Sequence, residues 1–121
     1  MRIISLILVG IVAVEHIYIL VLEMFLWTKP RGLKAFGNTL DLAEKTKVLA
    51  ANQGLYNGFL AAGLFWGMLH PNRGFGTQIQ IFFLLCVIVA AIYGGLTAKR
   101  SILYIQGAPA LLALIVVLIA N

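Results

Sequence analysis

Two carboxylates and a histidine lie inside one long apolar segment near the start of the sequence. Glu15, His16 and Glu23 interrupt residues 3–27, which are otherwise mostly apolar. His16 and Glu23 are seven residues apart, so in a helix they lie on nearly one face, while Glu15 lies about 100° away from His16. Acidic groups in hydrocarbon are costly and need partners. Two of them with a histidine indicate a site that handles a proton, a cation or a polar headgroup.

A second segment carries amides and a tyrosine at helical spacing. Asn52 and Tyr56 are four residues apart, and so are Gln53 and Asn57, so each pair stacks on a helix. Counting inward from the charged ends of each segment predicts that several polar groups share one depth. The predicted polar layer consists of Glu23, Asn52, Gln53, Tyr56, Tyr93 and Tyr104, with Glu15, His16 and Asn57 deeper. The candidate binding or proton-handling residues are Glu15, His16, Tyr18, Glu23, Asn52, Gln53, Tyr56, Asn57, Tyr93 and Tyr104.

The composition places these residues in a membrane. Of 121 residues, 62% are hydrophobic and only 11% are charged, against about 25% charged in soluble domains. This excludes an ordinary soluble enzyme, a disordered chain and a nucleic-acid module. The charge-free runs are long enough to cross the hydrocarbon core as helices. We predict an all-α, four-helix transmembrane bundle in a single domain, 1–121, with spans at 3–27, 48–69, 78–97 and 101–120.

The basic residues predict the orientation of the spans. Seven of the nine lie in the 28–47 loop or the 98–100 turn, so these face the cytoplasm by the positive-inside rule. Both termini and the 70–77 loop are then extracytoplasmic. The net charge of +5 is a topology signal and an attraction to anionic lipid, and no nucleic-acid partner is expected. We expect a multi-pass protein of the inner (plasma) membrane, in contact with the lipid bilayer.

Local signals refine the helix boundaries. Asn38 or Thr39 can cap the second helix, with Asp41 in its first turn, which predicts an amphipathic cytoplasmic extension. Gly107 and Pro109 predict a kink in the last span. A rival interpretation ends the third helix near Tyr104 and turns at 106–109.

Small residues at every fourth position predict close helix packing. They are Gly54, Gly58 and Ala62 on the second helix, and Ala90 with Gly94 and Ala91 with Gly95 on the third. The single cysteine, Cys86, forms no internal disulfide and provides no metal-site spacing. No cofactor or metal is expected.

Three strings resemble a known family: VEHIYILVLEMFLW at 14–27, NQGLYNGFLAAGLFWG at 52–67 and IYGG at 92–95. They are similar to small bacterial membrane proteins grouped as domain of unknown function 1304. The resemblance covers nearly the whole chain. It implies a four-helix inner-membrane protein and brings no activity, substrate or catalytic residue.

Three functions fit these residues. The first is proton-linked binding or transport of a small cation or polar solute by a homo-oligomer, with Glu15 or Glu23 exchanging a proton for the solute. The second is a membrane enzyme for a lipid or isoprenoid-like substrate, with His16 and Glu23 as the acid–base pair. The third is a structural or assembly subunit, in which Glu23 accepts a hydrogen bond from Asn52 or Tyr56. No catalytic residue is assigned.

Overall fold

The computed structural model describes residues 1–121 and contains helices without strands. Residues 100–120 form one helix that includes a π-helical stretch. The helices are α1 (Arg2–Met24), α2 (Pro30–Phe36), α3 (Leu40–Leu69), α4 (Arg73–Thr97) and α5 (Arg100–Ala120). The all-α prediction is confirmed.

Side-chain caps set where α3 and α4 begin. The hydroxyl of Thr39 accepts a hydrogen bond from the amide of Leu42 at 3.2 Å, and Asp41 lies in the first turn of α3. Thr39 is therefore the cap, and α3 extends well before residue 48, as predicted. The side chain of Asn72 accepts from the amide of Phe75 at 3.0 Å, so α4 begins at Arg73, earlier than the predicted residue 78.

Three helices, α1, α4 and α5, are long and apolar enough to cross a membrane by their length and composition. They indicate a membrane protein. Helix α3 is 30 residues long but is more polar, because it begins with charged residues and carries Asn52, Gln53 and Asn57.

Helix α5 is irregular near the predicted kink. Leu103–Gly107 is π-helical, and regular α-helix resumes at Ala108 with Pro109 in its first turn. Proline cannot donate the backbone hydrogen bond that a continuous α-helix requires, and π-turns are one way to absorb such a break. The rival interpretation is wrong, because α4 ends at Thr97 and the chain is helical through Tyr104.

The chain divides into two compact units. The first unit comprises residues 1–15 and 60–121. Four helical segments contribute to its core, from α1, the second half of α3, α4 and α5. The fully buried core residues are Val9, Val12, Ala13, Leu64, Leu84, Val87, Ala110, Ala113 and Val117.

The second unit comprises residues 16–59 and contains the connection between α1 and α3. The indole of Trp27 donates to the hydroxyl of Thr46 at 3.1 Å, and its ring lies 4.8 Å from that of Phe36. These contacts hold α2 and the first turns of α3 beside the end of α1.

Helices α3 and α4 approach closely inside the first unit. A methyl group on Gly76 would lie 2.5 Å from the carbonyl oxygen of Gly67. The same carbonyl accepts a hydrogen bond from the side chain of Gln80 at 3.1 Å. Only glycine leaves room for this approach at residue 76, because the obstructing atom is backbone.

Gly76→Ala should therefore destabilise the protein by about 1–3 kcal/mol, as overpacking does. The measurement is thermal unfolding in detergent. The matched control is Gly10→Ala in the same unit, where the added methyl meets only the end of Met68 at 3.5 Å. The control should unfold at or above the wild-type temperature. Equal losses in both variants would contradict the close approach.

Candidate functional site

An interhelical hydrogen bond joins two of the predicted site residues. The side-chain amide of Asn57 on α3 donates to Oε1 of Glu23 on α1 at 2.6 Å. Both side chains are half-buried within the second unit. A carboxylate in an apolar helix thus has a neutral donor supplied by the neighbouring helix.

Glycine spacing on α3 explains how these side chains meet. A methyl group on Gly54 would lie 3.1 Å from Cβ of Glu23 and 3.2 Å from the carbonyl oxygen of Leu20. A methyl on Gly58 would lie 2.7 Å from a methyl of Leu20. The predicted packing face at Gly54 and Gly58 is confirmed, and it brings the α3 backbone close enough for Asn57 to reach α1.

The partner of Glu23 differs from the expected one. The sequence predicts Asn52 or Tyr56 as the partner of Glu23 and places Asn57 deeper. Counting residues from Lys47 does not determine the register of α3 against α1, which the glycine contacts set. Glu23 consequently lies opposite Gly54, within reach of Asn57 one turn further along.

Glu15 has an unsatisfied acceptor. Its side chain is half-buried, and its Oε1 is buried without a hydrogen-bond partner. A carboxyl oxygen left without a donor in apolar surroundings carries a large desolvation cost. A bound proton, or a donor or cation from a ligand, would remove that cost.

The other candidates on α1 lie in different environments. His16 is 1% exposed and is among the largest fully buried side chains. Tyr18 is exposed, and its hydroxyl accepts from Nη1 of Arg31 at 3.5 Å.

The remaining predicted site residues lie at the surface of the chain. Tyr56 is exposed and packs its ring edge-on against Phe59, with ring centres 5.8 Å apart. The structure joins Glu23 only to Asn57 and does not connect the predicted polar layer by hydrogen bonds, because its other members point outward. The exposed members are Asn52, Gln53, Tyr56, Tyr93 and Tyr104.

No group of three or more His, Cys, Asp or Glu side chains is arranged to hold a metal ion. Cys86 is a half-buried free thiol. The carboxyl groups of Glu15 and Glu23 can bind protons and form hydrogen bonds.

Two further buried polar residues are not among those predicted from the sequence. Ser5 is 2% exposed and Gln80 is 7% exposed. Ser5 is a lone polar residue in an apolar run, which is a signal for burial, whereas Gln80 follows Thr77 and Gln78 and carries no such signal.

Comparisons with known proteins place the chain among uncharacterised proteins. A family described as "Protein of unknown function (DUF1304)" matches residues 10–118. The chain is 34% identical over 119 residues to "Uncharacterized protein YpaA" from Lactococcus lactis subsp. lactis (strain IL1403). This alignment covers 95% of the chain and 97% of that protein. No solved structure matches the chain.

The bond between Glu23 and Asn57 predicts an energetic coupling. In a double-mutant cycle of Glu23→Ala and Asn57→Ala, we expect about 0.6 kcal/mol of coupling, up to about 1.7, the range for interhelical hydrogen bonds in membranes. Stability in detergent provides the measurement. Asn52→Ala is the matched control, because Asn52 is exposed and makes no bond to Glu23. Coupling of the same size with Asn52 would refute the assignment.

Proposed function

The chain belongs to the DUF1304 family, and we propose that it binds or transports a small cationic or polar solute in exchange for a proton. The carrying observation is the buried carboxyl oxygen of Glu15, which has no hydrogen-bond partner in a helix apolar enough to span a membrane. Burying such a carboxyl group costs the least free energy when the group is protonated. It can bind a ligand when a cation or a hydrogen-bond donor replaces that proton.

The second carboxylate complements the first. Glu23 is held by the amide of Asn57, so its orientation is set by the packing of α1 and α3. We propose that Glu15 exchanges the proton and that Glu23 supplies a fixed negative or polar group on the same helix.

We propose that α3 is a fourth span and that the protein is a four-helix bundle of the bacterial inner membrane. The second half of α3 is charge-free and contributes Leu64 to the core shared with the three apolar helices. The concentration of basic residues in 28–47 and 98–100 supports both termini on the extracytoplasmic side.

We further propose a homo-oligomer. Asn52 and Gln53 are exposed on α3, and their amides need partners if this part of the helix lies in hydrocarbon. A second copy of the chain can supply them, because side-chain amides are both donors and acceptors.

A structural role is the second candidate, and the Glu23–Asn57 bond favours it, since this bond links two helices without a ligand. In that case both carboxyl groups contribute to stability alone. No observation favours the lipid enzyme, whose acid–base pair requires His16, because that residue is almost fully buried.

The topology is tested by single cysteines in a Cys86→Ser background. Lys34→Cys should react with a membrane-impermeant thiol reagent only after permeabilisation of the inner membrane. Pro71→Cys should react in spheroplasts without it. Both residues are exposed, so accessibility of the thiol within the protein is not limiting. The reverse pattern, or equal labelling, would overturn the orientation.

The function is tested by proton release from the purified protein in weakly buffered detergent. Tetraethylammonium, choline and tetraphenylphosphonium serve as cation probes. Wild type should release about one proton per bound cation, and Glu15→Gln should release none, because glutamine has no proton to exchange. Glu23→Gln keeps an oxygen for Asn57 and should bind more weakly while remaining folded.

The matched control is Glu44→Gln, the same chemical change at an exposed carboxylate that pairs with Lys47 at 3.2 Å. It should behave as wild type. If no probe releases protons from wild type, and Glu15→Gln and Glu23→Gln change thermal stability alone, the structural role is correct instead.

A further inference from the structure

A small polar cavity lies at one end of the first unit. The start of α1 contributes Arg2 and Ser5, the turn before α4 contributes His70, and α4 contributes Arg73. The cavity volume is about 10 Å³, enough for one water-sized atom. The side chain of Asn121 also lines it.

Ser5 gives this cavity an unused donor. The residue is 2% exposed, and its hydroxyl forms no hydrogen bond within the chain. Gln80 also lines the cavity, but its side-chain amide already donates a hydrogen bond to the carbonyl of Gly67. A buried hydroxyl facing an oxygen-sized space calls for an acceptor.

The charged side chains that line the cavity are two arginines. Arg2 forms no ion pair, and Arg73 contacts only a neutral group, donating from Nε to Oδ1 of Asn121 at 3.3 Å. The side chain of His70 also lines the cavity, and its Nδ1 lies 3.0 Å from the amide nitrogen and 3.1 Å from the carbonyl oxygen of Asn72. No aspartate or glutamate side chain lines the cavity or the cleft.

A shallow, open cleft of about 540 Å³ adjoins the cavity and shares Arg73, Thr77 and Asn121 with it, and its exposed lining is mostly apolar. Gly74, in the first turn of α4, also lines the cleft. The first amide groups of a helix point outward without intrahelical acceptors, and the helix dipole favours an anion there. The cleft therefore offers the room that the cavity lacks.

We propose that this end of the protein binds a phosphate group, carried by a phospholipid headgroup or by free phosphate. One phosphate oxygen enters the cavity and accepts from the hydroxyl of Ser5. The remaining oxygens accept hydrogen bonds from Arg2, which lines the cavity, and from Arg73, which lines both the cavity and the cleft. Two arginines and a hydroxyl around a helix start match the several acceptor oxygens of a phosphate. This inference does not depend on the proposed function.

Thermal unfolding of the full chain in a neutral detergent tests the proposal, with three probes added separately at constant ionic strength. They are inorganic phosphate, dioctanoyl phosphatidylglycerol and dioctanoylglycerol, which is the matched lipid without phosphate. Inorganic phosphate, dioctanoyl phosphatidylglycerol or both should raise the unfolding temperature, whereas dioctanoylglycerol should leave it unchanged. Stabilisation by phosphatidylglycerol alone identifies a headgroup, and stabilisation by inorganic phosphate identifies the free ion.

Two variants place the effect at this site. Ser5→Ala and Arg73→Gln should each raise the half-saturating concentration of the phosphate probe at least about tenfold, because each removes a hydrogen-bond donor to a charged acceptor. Arg100→Gln is the matched control, since Arg100 is exposed at the start of α5, and it should bind as wild type. Absence of stabilisation by either phosphate probe, or equal binding by all three variants, would overturn the proposal.

Discussion

A polar group on an apolar, membrane-length helix must find its partner inside the protein or in a ligand, because hydrocarbon offers none. This constraint explains the arrangement around α1. Glu23 meets the constraint with the amide of Asn57, at the short distance of 2.6 Å. Glu15 does not meet it, since one of its oxygens is buried without a donor. The contrast between a satisfied and an unsatisfied carboxyl group on one helix is the basis of the proposed proton exchange.

Close backbone packing makes the satisfied contact available. In lipid there is no hydrophobic drive between helices, so small residues that permit close approach determine which helix faces meet. Gly54 serves this purpose against Leu20 and Glu23, and Gly76 serves it against the carbonyl of Gly67. At Gly76 an added methyl group would collide with the backbone of Gly67, and at Gly54 it would press on the backbone of Leu20 and on Cβ of Glu23. Packing and polar pairing are therefore set by the same few positions.

Polar groups occur at distinct places with different chemistry. The carboxylates lie on α1, and the region around Glu23 accepts hydrogen bonds. The end of the first unit, with Arg73 and Ser5, donates them. This separation follows from the distribution of acids, which all lie between residues 15 and 44. An anion at one place and a proton or cation at another are consistent with the groups that each place provides.

The amino-acid sequence determined the helical class, the approximate boundaries of α1, α3, α4 and α5, the packing role of Gly54 and Gly58, and a cap at Asn38 or Thr39. These depend on local composition and on spacing along one helix, which require no knowledge of the neighbours. The partner of Glu23, the outward position of Asn52 and Tyr56, and the burial of Ser5 were decided by the tertiary structure. Each depends on the axial register and rotation of one helix against another. If α3 were displaced by one helical turn along its axis, a different side chain would replace Asn57 beside Glu23. The charged residues near Lys47 do not determine this axial position.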